Sequence, residues 1–126
     1  METAQDFIKR KKQQFQDDQD KLIGMKDIGR NGRFYFIKEA ITLMIQSNLD
    51  QKVFVIERLK REKSKGIITY KSLNKIGNIE HRIGYYIVGK IGRAKNKWIW
   101  GQFCPLIPKK DFDKLILKAK KDRTIL

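Results

Sequence analysis

The residue pattern points to an α+β fold: N-terminal helices packed on a small antiparallel β-sheet of about three strands, with a long basic β-hairpin, closed by a C-terminal amphipathic helix. Three observations lead there. Residues 79–107 alternate with period two on both sides of a short turn. Phe34–Leu49 carries apolar residues at helical spacing, and Gln51–Lys63 carries i,i+4 charge pairs before a stop at Gly66. Lys109–Lys121 sets Phe112, Leu115, Ile116 and Ala119 on one helical face and Lys110, Lys114, Lys118 and Lys121 on the other.

Taken in order, Thr3–Leu22 reads as a polar helix capped by Thr3, with Asp6 three residues on. Its apolar stripe, Phe7, Ile8, Phe15 and Leu22, is thin, and Lys9-Arg10-Lys11-Lys12 before Asp17-Asp18-Gln19-Asp20 reads as a solvated face. Gly24, Gly29, Asn31 and Gly32 mark a loop. Residues 1–32 are therefore expected to form a polar helical arm and loop, and residues 33–126 a single α+β domain. Phe34–Leu49 is expected as the central core helix, with Ile41 and Met44 buried. Asn48-Leu49-Asp50 reads as a turn in which Asp50 caps a second helix, Gln51–Lys63. Val53-Phe54-Val55-Ile56 suits a strand, but the i,i+4 pairs Glu57–Arg61 and Arg58–Glu62 and the stop at Gly66 favour helix. A first strand is expected over Ile67–Leu73, or a short helix over Tyr70–Ile76.

The hairpin follows. Ile79, His81, Ile83, Tyr85 and Ile87 share one face, and Glu80, Arg82, Tyr86, Val88 and Lys90 the other. Gly92-Arg93-Ala94-Lys95-Asn96 supplies turn chemistry and positive charge together. In the returning strand Trp98, Trp100, Gln102 and Cys104 alternate with Ile99 and Phe103, until Pro105 and Pro108 end it. Two registers fit: Ile99, Phe103, Val88 and Tyr86 inside with Trp98, Trp100 and Tyr85 outside, or the reverse.

Composition narrows the partner. The chain of 126 residues is long enough for one buried core, and no apolar run approaches the roughly 20 residues of a membrane span. The polar N-terminus does not resemble a secretory signal, so a cytoplasmic location without membrane attachment is expected. Lys+Arg number 29 against 14 Asp+Glu, a net charge of +15. Residues 1–32 are nearly balanced, with seven basic and six acidic side chains, whereas residues 66–108 carry seven basic and one acidic. Such a field draws polyanions.

Catalytic chemistry is sparse. His81 is the sole histidine and Cys104 the sole cysteine, which excludes paired-His and multi-cysteine metal sites within one chain. Glu80 and His81, adjacent in a strand, face opposite sides. No phosphate-binding or dinucleotide-binding glycine motif is present, and no cofactor or metal is expected. Binding has better candidates: Arg82, Tyr85, Lys90, Arg93, Lys95, Lys97, Trp98 and Trp100 combine cations with rings able to stack on bases. The expected function is non-catalytic binding of DNA or RNA through a basic aromatic hairpin. The alternatives are a small metal-independent, toxin-like ribonuclease using His81 and Tyr85, and a protein–protein adaptor docking through the same hairpin.

Overall fold

A computed structural model describes residues 1–25, 33–65 and 75–126. The elements are α1 (Ala4–Asp17), β1 (Ile23–Met25), β2 (Arg33–Gln46), β3 (Leu49–Lys65), β4 (Ile79–Val88), β5 (Trp98–Trp100) and α2 (Lys109–Lys121). The strands form one antiparallel sheet of five in chain order, β1-β2-β3-β4-β5. Helix α1 packs on one face and α2 on the other, so the central strands are covered on both sides.

That double cover explains the largest correction. The two central helices expected over Phe34–Leu49 and Gln51–Lys63 are the long strands β2 and β3. A strand buried on both faces loses its polar alternation and reads as a continuous apolar run, which periodicity cannot separate from a buried helix. Val53 and Val55 face α1 with Leu43, while Phe54 and Ile56 face α2. Ile41 and Met44, expected at one buried helix face, lie half-buried on opposite faces of the sheet. The anticipated i,i+4 pairs do not form, because positions four apart in a strand stand roughly 13 Å apart. Their charges pair across strands instead: Glu57 with Lys38 and Arg82, Arg58 with Glu39, and Arg61 with Glu80. Asp50 lies inside β3 and caps no helix; the tight link between β2 and β3 is Ser47-Asn48. The strand or helix anticipated over residues 67–76 falls largely outside the described residues.

Helix α2 lies where its sequence signals place it, and α1 starts as expected but ends at Asp17, five residues short of the expected Leu22. Thr3 Oγ1 accepts from the Asp6 amide at 3.1 Å and starts α1. The thin stripe is sufficient for burial: Phe7 is 1% exposed, stacked on Trp98 with centroids 4.7 Å apart and edge-on to Tyr86 at 5.0 Å. Helix α2 buries Asp111, Leu115 and Ala119, a face rotated from the expected one, so Phe112 points outward. Asp111 faces inward because its carboxylate accepts from the Ser47 amide at 2.8 Å. Beyond α2 the chain is strapped to the sheet. Thr124 and Thr42 hydroxyls meet at 2.8 Å, and Arg58 donates to the Arg123 carbonyl at 2.5 Å.

The hairpin is present but asymmetric. Strand β4 runs ten residues, whereas β5 stops after three, short of the expected end at Cys104. Its final bond to the sheet is the Gly101 amide donating to the Tyr85 carbonyl at 2.7 Å. A Cβ at Gly101 would lie 2.1 Å from the Tyr85 ring, so the chain crosses that ring closely before leaving the sheet.

Candidate nucleic-acid interface

The connection between β4 and β5 is a tightly bonded knob. The Gly89 amide donates to the Lys97 carbonyl, and the Asn96 amide donates back to the Gly89 carbonyl, both at 2.9 Å. Inside this ring the Lys97 amide donates to the Ala94 carbonyl at 3.0 Å and the Lys95 amide to the Gly92 carbonyl at 3.2 Å, around the 3-10 turn Gly92–Ala94. Gly92 and Asn96 take the left-handed backbone the turn requires, at φ 63° and 62°. Gly89 is needed for another reason: a Cβ there would meet the Ala94 carbonyl oxygen at 2.2 Å.

The knob presents Lys90, Arg93, Lys95 and Lys97, all exposed. None of the four forms an ion pair among the described residues. Lys90 donates to the Gln51 side chain, which ties the knob to the start of β3. Ile91, within the same connection, is 83% exposed.

The aromatic half of the expected site is dispersed. Register pairs Tyr86 with Trp100 and Val88 with Trp98, so both tryptophans share the α1 face with Tyr86 and Val88. Ile99 pairs with Ile87 and belongs with Tyr85 on the α2 face. Neither register weighed from the sequence matches, since both grouped Ile99 with Tyr86. Tyr85 is buried among Phe54 and Leu115, with the Lys52 ammonium 5.0 Å from its ring centroid. Trp98 stacks on Phe7 and donates from Nε1 to the Glu2 carbonyl at 2.8 Å. Trp100 is 37% exposed, but it lies across Gly84, where a Cβ would be 2.5 Å from the ring. The Arg82 guanidinium sits 4.6 Å from the Trp100 centroid and binds Glu57 Oε1 at 2.6 Å. Arg82, Tyr85, Trp98 and Trp100 are thus engaged within the fold, and the open positions are the knob cations.

Two residues outside the expected site, Phe103 among them although it was expected on a strand face, are more exposed. Phe103 is 80% and Leu106 82% exposed, beyond the end of β5. The signal for Phe103 was Gly101 and Pro105 on either side, which break the strand period, and Leu106 lies between Pro105 and Pro108. Lys52 donates to the Leu106 carbonyl at 3.1 Å and pairs in register with Ile87, placing this segment at the same end of the sheet as the knob.

A second charged group lies under α1. Glu57, fully buried in β3, is held by Lys38 at 2.5 Å and by Arg82. Lys11 reaches the same region from α1, its ammonium 5.0 Å from the Tyr86 centroid. Burial lowers the Lys11 pKa, and the cations Arg10 and Lys38 add to the effect. Burial, reinforced by Glu57, pushes the Tyr86 phenol up to about 12. These side chains come from four elements, and nothing in their sequence spacing announces the meeting.

His81 and Tyr85 stand four strand positions apart, roughly 13 Å. The His81 ring meets the Thr124 carbonyl at 3.1 Å, and Tyr85 is buried. Cys104 is exposed, beyond the end of β5. Among the described residues no helix is long and apolar enough to cross a membrane. Comparison with protein-family models, curated proteins and solved structures finds no match for this chain.

Proposed function

We propose that the protein binds nucleic acid, DNA or RNA, without catalysing a reaction on it, and that the knob between β4 and β5 is where it meets the phosphate backbone. The observation that carries this reading is a bonded, exposed turn holding four cations and no carboxylate partner among the described residues. A preformed turn spares the backbone the ordering cost when its cations meet phosphate. Phe103 extends the surface with a ring available for stacking. A cytoplasmic location belongs to the same reading.

The test compares two charge reversals by fluorescence anisotropy with a short oligonucleotide. One changes Arg93, Lys95 and Lys97 to Glu. The other changes Lys9, Lys12 and Lys21, which are also exposed and lie outside the knob, to Glu. The knob variant should lower the dependence of log affinity on log salt by about 2 to 3, at 0.7–0.9 for each phosphate no longer neutralised. The control should leave that slope nearly unchanged. Equal losses in two folded variants would reduce the effect to net charge and remove the knob from the reading.

A protein partner is the second reading, favoured by the exposure of Ile91, Phe103 and Leu106 at one end of the sheet. Replacing these three with Ser would abolish partner capture on that reading, while leaving the salt slope for nucleic acid in place.

A further inference from the structure

A cavity of about 200 Å³ opens between α1 and the sheet, lined by Lys11, Gln14, Phe15, Asp18, Ile23, Lys38, Ile41 and Tyr86. That is less than the roughly 300–1,000 Å³ of a pocket for a drug-sized ligand. The space suits a compact ligand.

Its walls are polar at both ends, with opposite sign. Lys11, Gln14, Phe15 and Asp18 follow at i, i+3, i+4 and i+7, which sets them in one row down α1. Lys11 and Asp18 are separated by about 10 Å along the helix axis, at 1.5 Å per residue. At the Lys11 end stand the Tyr86 ring and, from β2, Lys38. Lys38 is shared with Glu57, but Glu57 also neutralises Arg82. Lys11, Lys38 and Arg82 therefore gather around one buried carboxylate, which leaves positive charge in excess at this end. Lys11 donates to Gln14 Oε1 at 3.2 Å and has no carboxylate partner among the described residues. Burial is the main cause of the depressed Lys11 pKa, with Arg10 and Lys38 adding to it and Glu57 and Glu2 opposing it. At the other end Asp18 and the last carbonyls of α1 repel an anion and accept hydrogen bonds. Phe15, Ile23 and Ile41 supply apolar wall between the ends.

We propose that this cavity binds a phosphate monoester of a small hydroxylated molecule, its phosphate held by Lys11 and Lys38 and its hydroxyls donating toward Asp18 and Gln14. Phosphate carries close to two negative charges at neutral pH, matching the excess at the Lys11 end. Lysine ammoniums bind it as point charges, without the fixed fork that guanidinium needs. A bare anion would leave the Asp18 end unused, and a wholly cationic ligand would meet the two ammoniums. The same head group occurs on a free sugar phosphate or nucleotide and on the phosphorylated end of an oligonucleotide.

The test follows the ε-methylene NMR signals of Lys11 and Lys38 at constant ionic strength. Inorganic phosphate should shift both, and ribose 5-phosphate should do so at lower concentration. Lys11→Met should weaken both ligands about ten- to a hundredfold, the value of one hydrogen bond to a charged group. Asp18→Asn should weaken ribose 5-phosphate while sparing inorganic phosphate. A 5′-phosphorylated dinucleotide that shifts the same signals would assign the polymer end as a source of the head group; its failure beside a response to ribose 5-phosphate would assign the free ester. The knob reversal at Arg93, Lys95 and Lys97 should change none of this, which separates the cavity from the proposed nucleic-acid surface. Unshifted Lys11 and Lys38 signals in the unaltered protein, or Lys11→Met binding at full strength, would overturn the proposal.

Discussion

Glu57 shows how much depends on one side chain. It is fully buried, and Lys38 and Arg82 are its counter-charges from the strands on either side. Removing one member of a buried charge group leaves the others desolvated and unpaired. Glu57→Gln should therefore cost about 1.5–3 kcal/mol in chemical denaturation, less than a fully buried pair because the Lys38 and Arg82 side chains are 22% and 37% exposed. A cost within the few tenths typical of the surface would show the charges to be solvated. Asp111 gives a pH test. The Ser47 amide holds its carboxyl below the ordinary value of 3.8, and Lys110 and Lys114 add smaller effects. A depressed carboxyl stabilises the fold above its unfolded pKa and loses that contribution as pH falls through the folded pKa. Asp111→Asn should therefore lower stability at neutral pH and flatten its decline in acid. An acid limb unchanged by the substitution would show that other carboxylates govern it.

Among the elements, β3 is the one the rest is built on. It pairs with β2 and β4 and sends Val53 and Val55 to one core and Phe54 and Ile56 to the other. Phe54→Ala should cost about 3–5 kcal/mol, and Ile41→Ala, half-buried, visibly less. Phe112→Ala on the outer face of α2 should stay within about 0.5 kcal/mol. Equal losses at Phe54 and Phe112 in urea titrations would contradict the observed face of α2. The knob makes its own prediction. Gly89→Ala drives a methyl into the Ala94 carbonyl, which should cost about 1–3 kcal/mol as overpacking does. Faster hydrogen exchange at the Asn96 and Lys97 amides would report the opened ring; unchanged exchange would mean that the ring tolerates a Cβ.

For the whole molecule the dominant quantity is its charge of +15. Self-repulsion at that charge opposes the compact state, and salt shortens its reach from about 30 Å at 0.01 M to about 10 Å at 0.1 M. The thermal midpoint should therefore rise with sodium chloride over that range in the absence of ligand. A falling midpoint would mean that ion pairs such as Glu2–Arg10 and Arg58–Glu39 outweigh the repulsion.

Local signals were legible where one element carries its own evidence. Thr3 and Asp6 start α1, the Pro108 boundary and 3.6-residue spacing delimit α2, and strict alternation from Ile79 marks β4. The knob was legible too, since Gly92 and Asn96 are turn residues on chemical grounds alone. Face assignment was not. Whether Trp98 looks out or in depends on its pairing with Val88 and on Phe7 arriving from α1, both remote in sequence. For β2 and β3 the local signal itself misleads, because cover by α1 and α2 on opposite faces removes the polar half of the strand pattern. The cavity lies furthest from sequence reach: Lys11, Lys38 and Tyr86 meet only once helix and sheet have packed, a meeting that no single segment encodes.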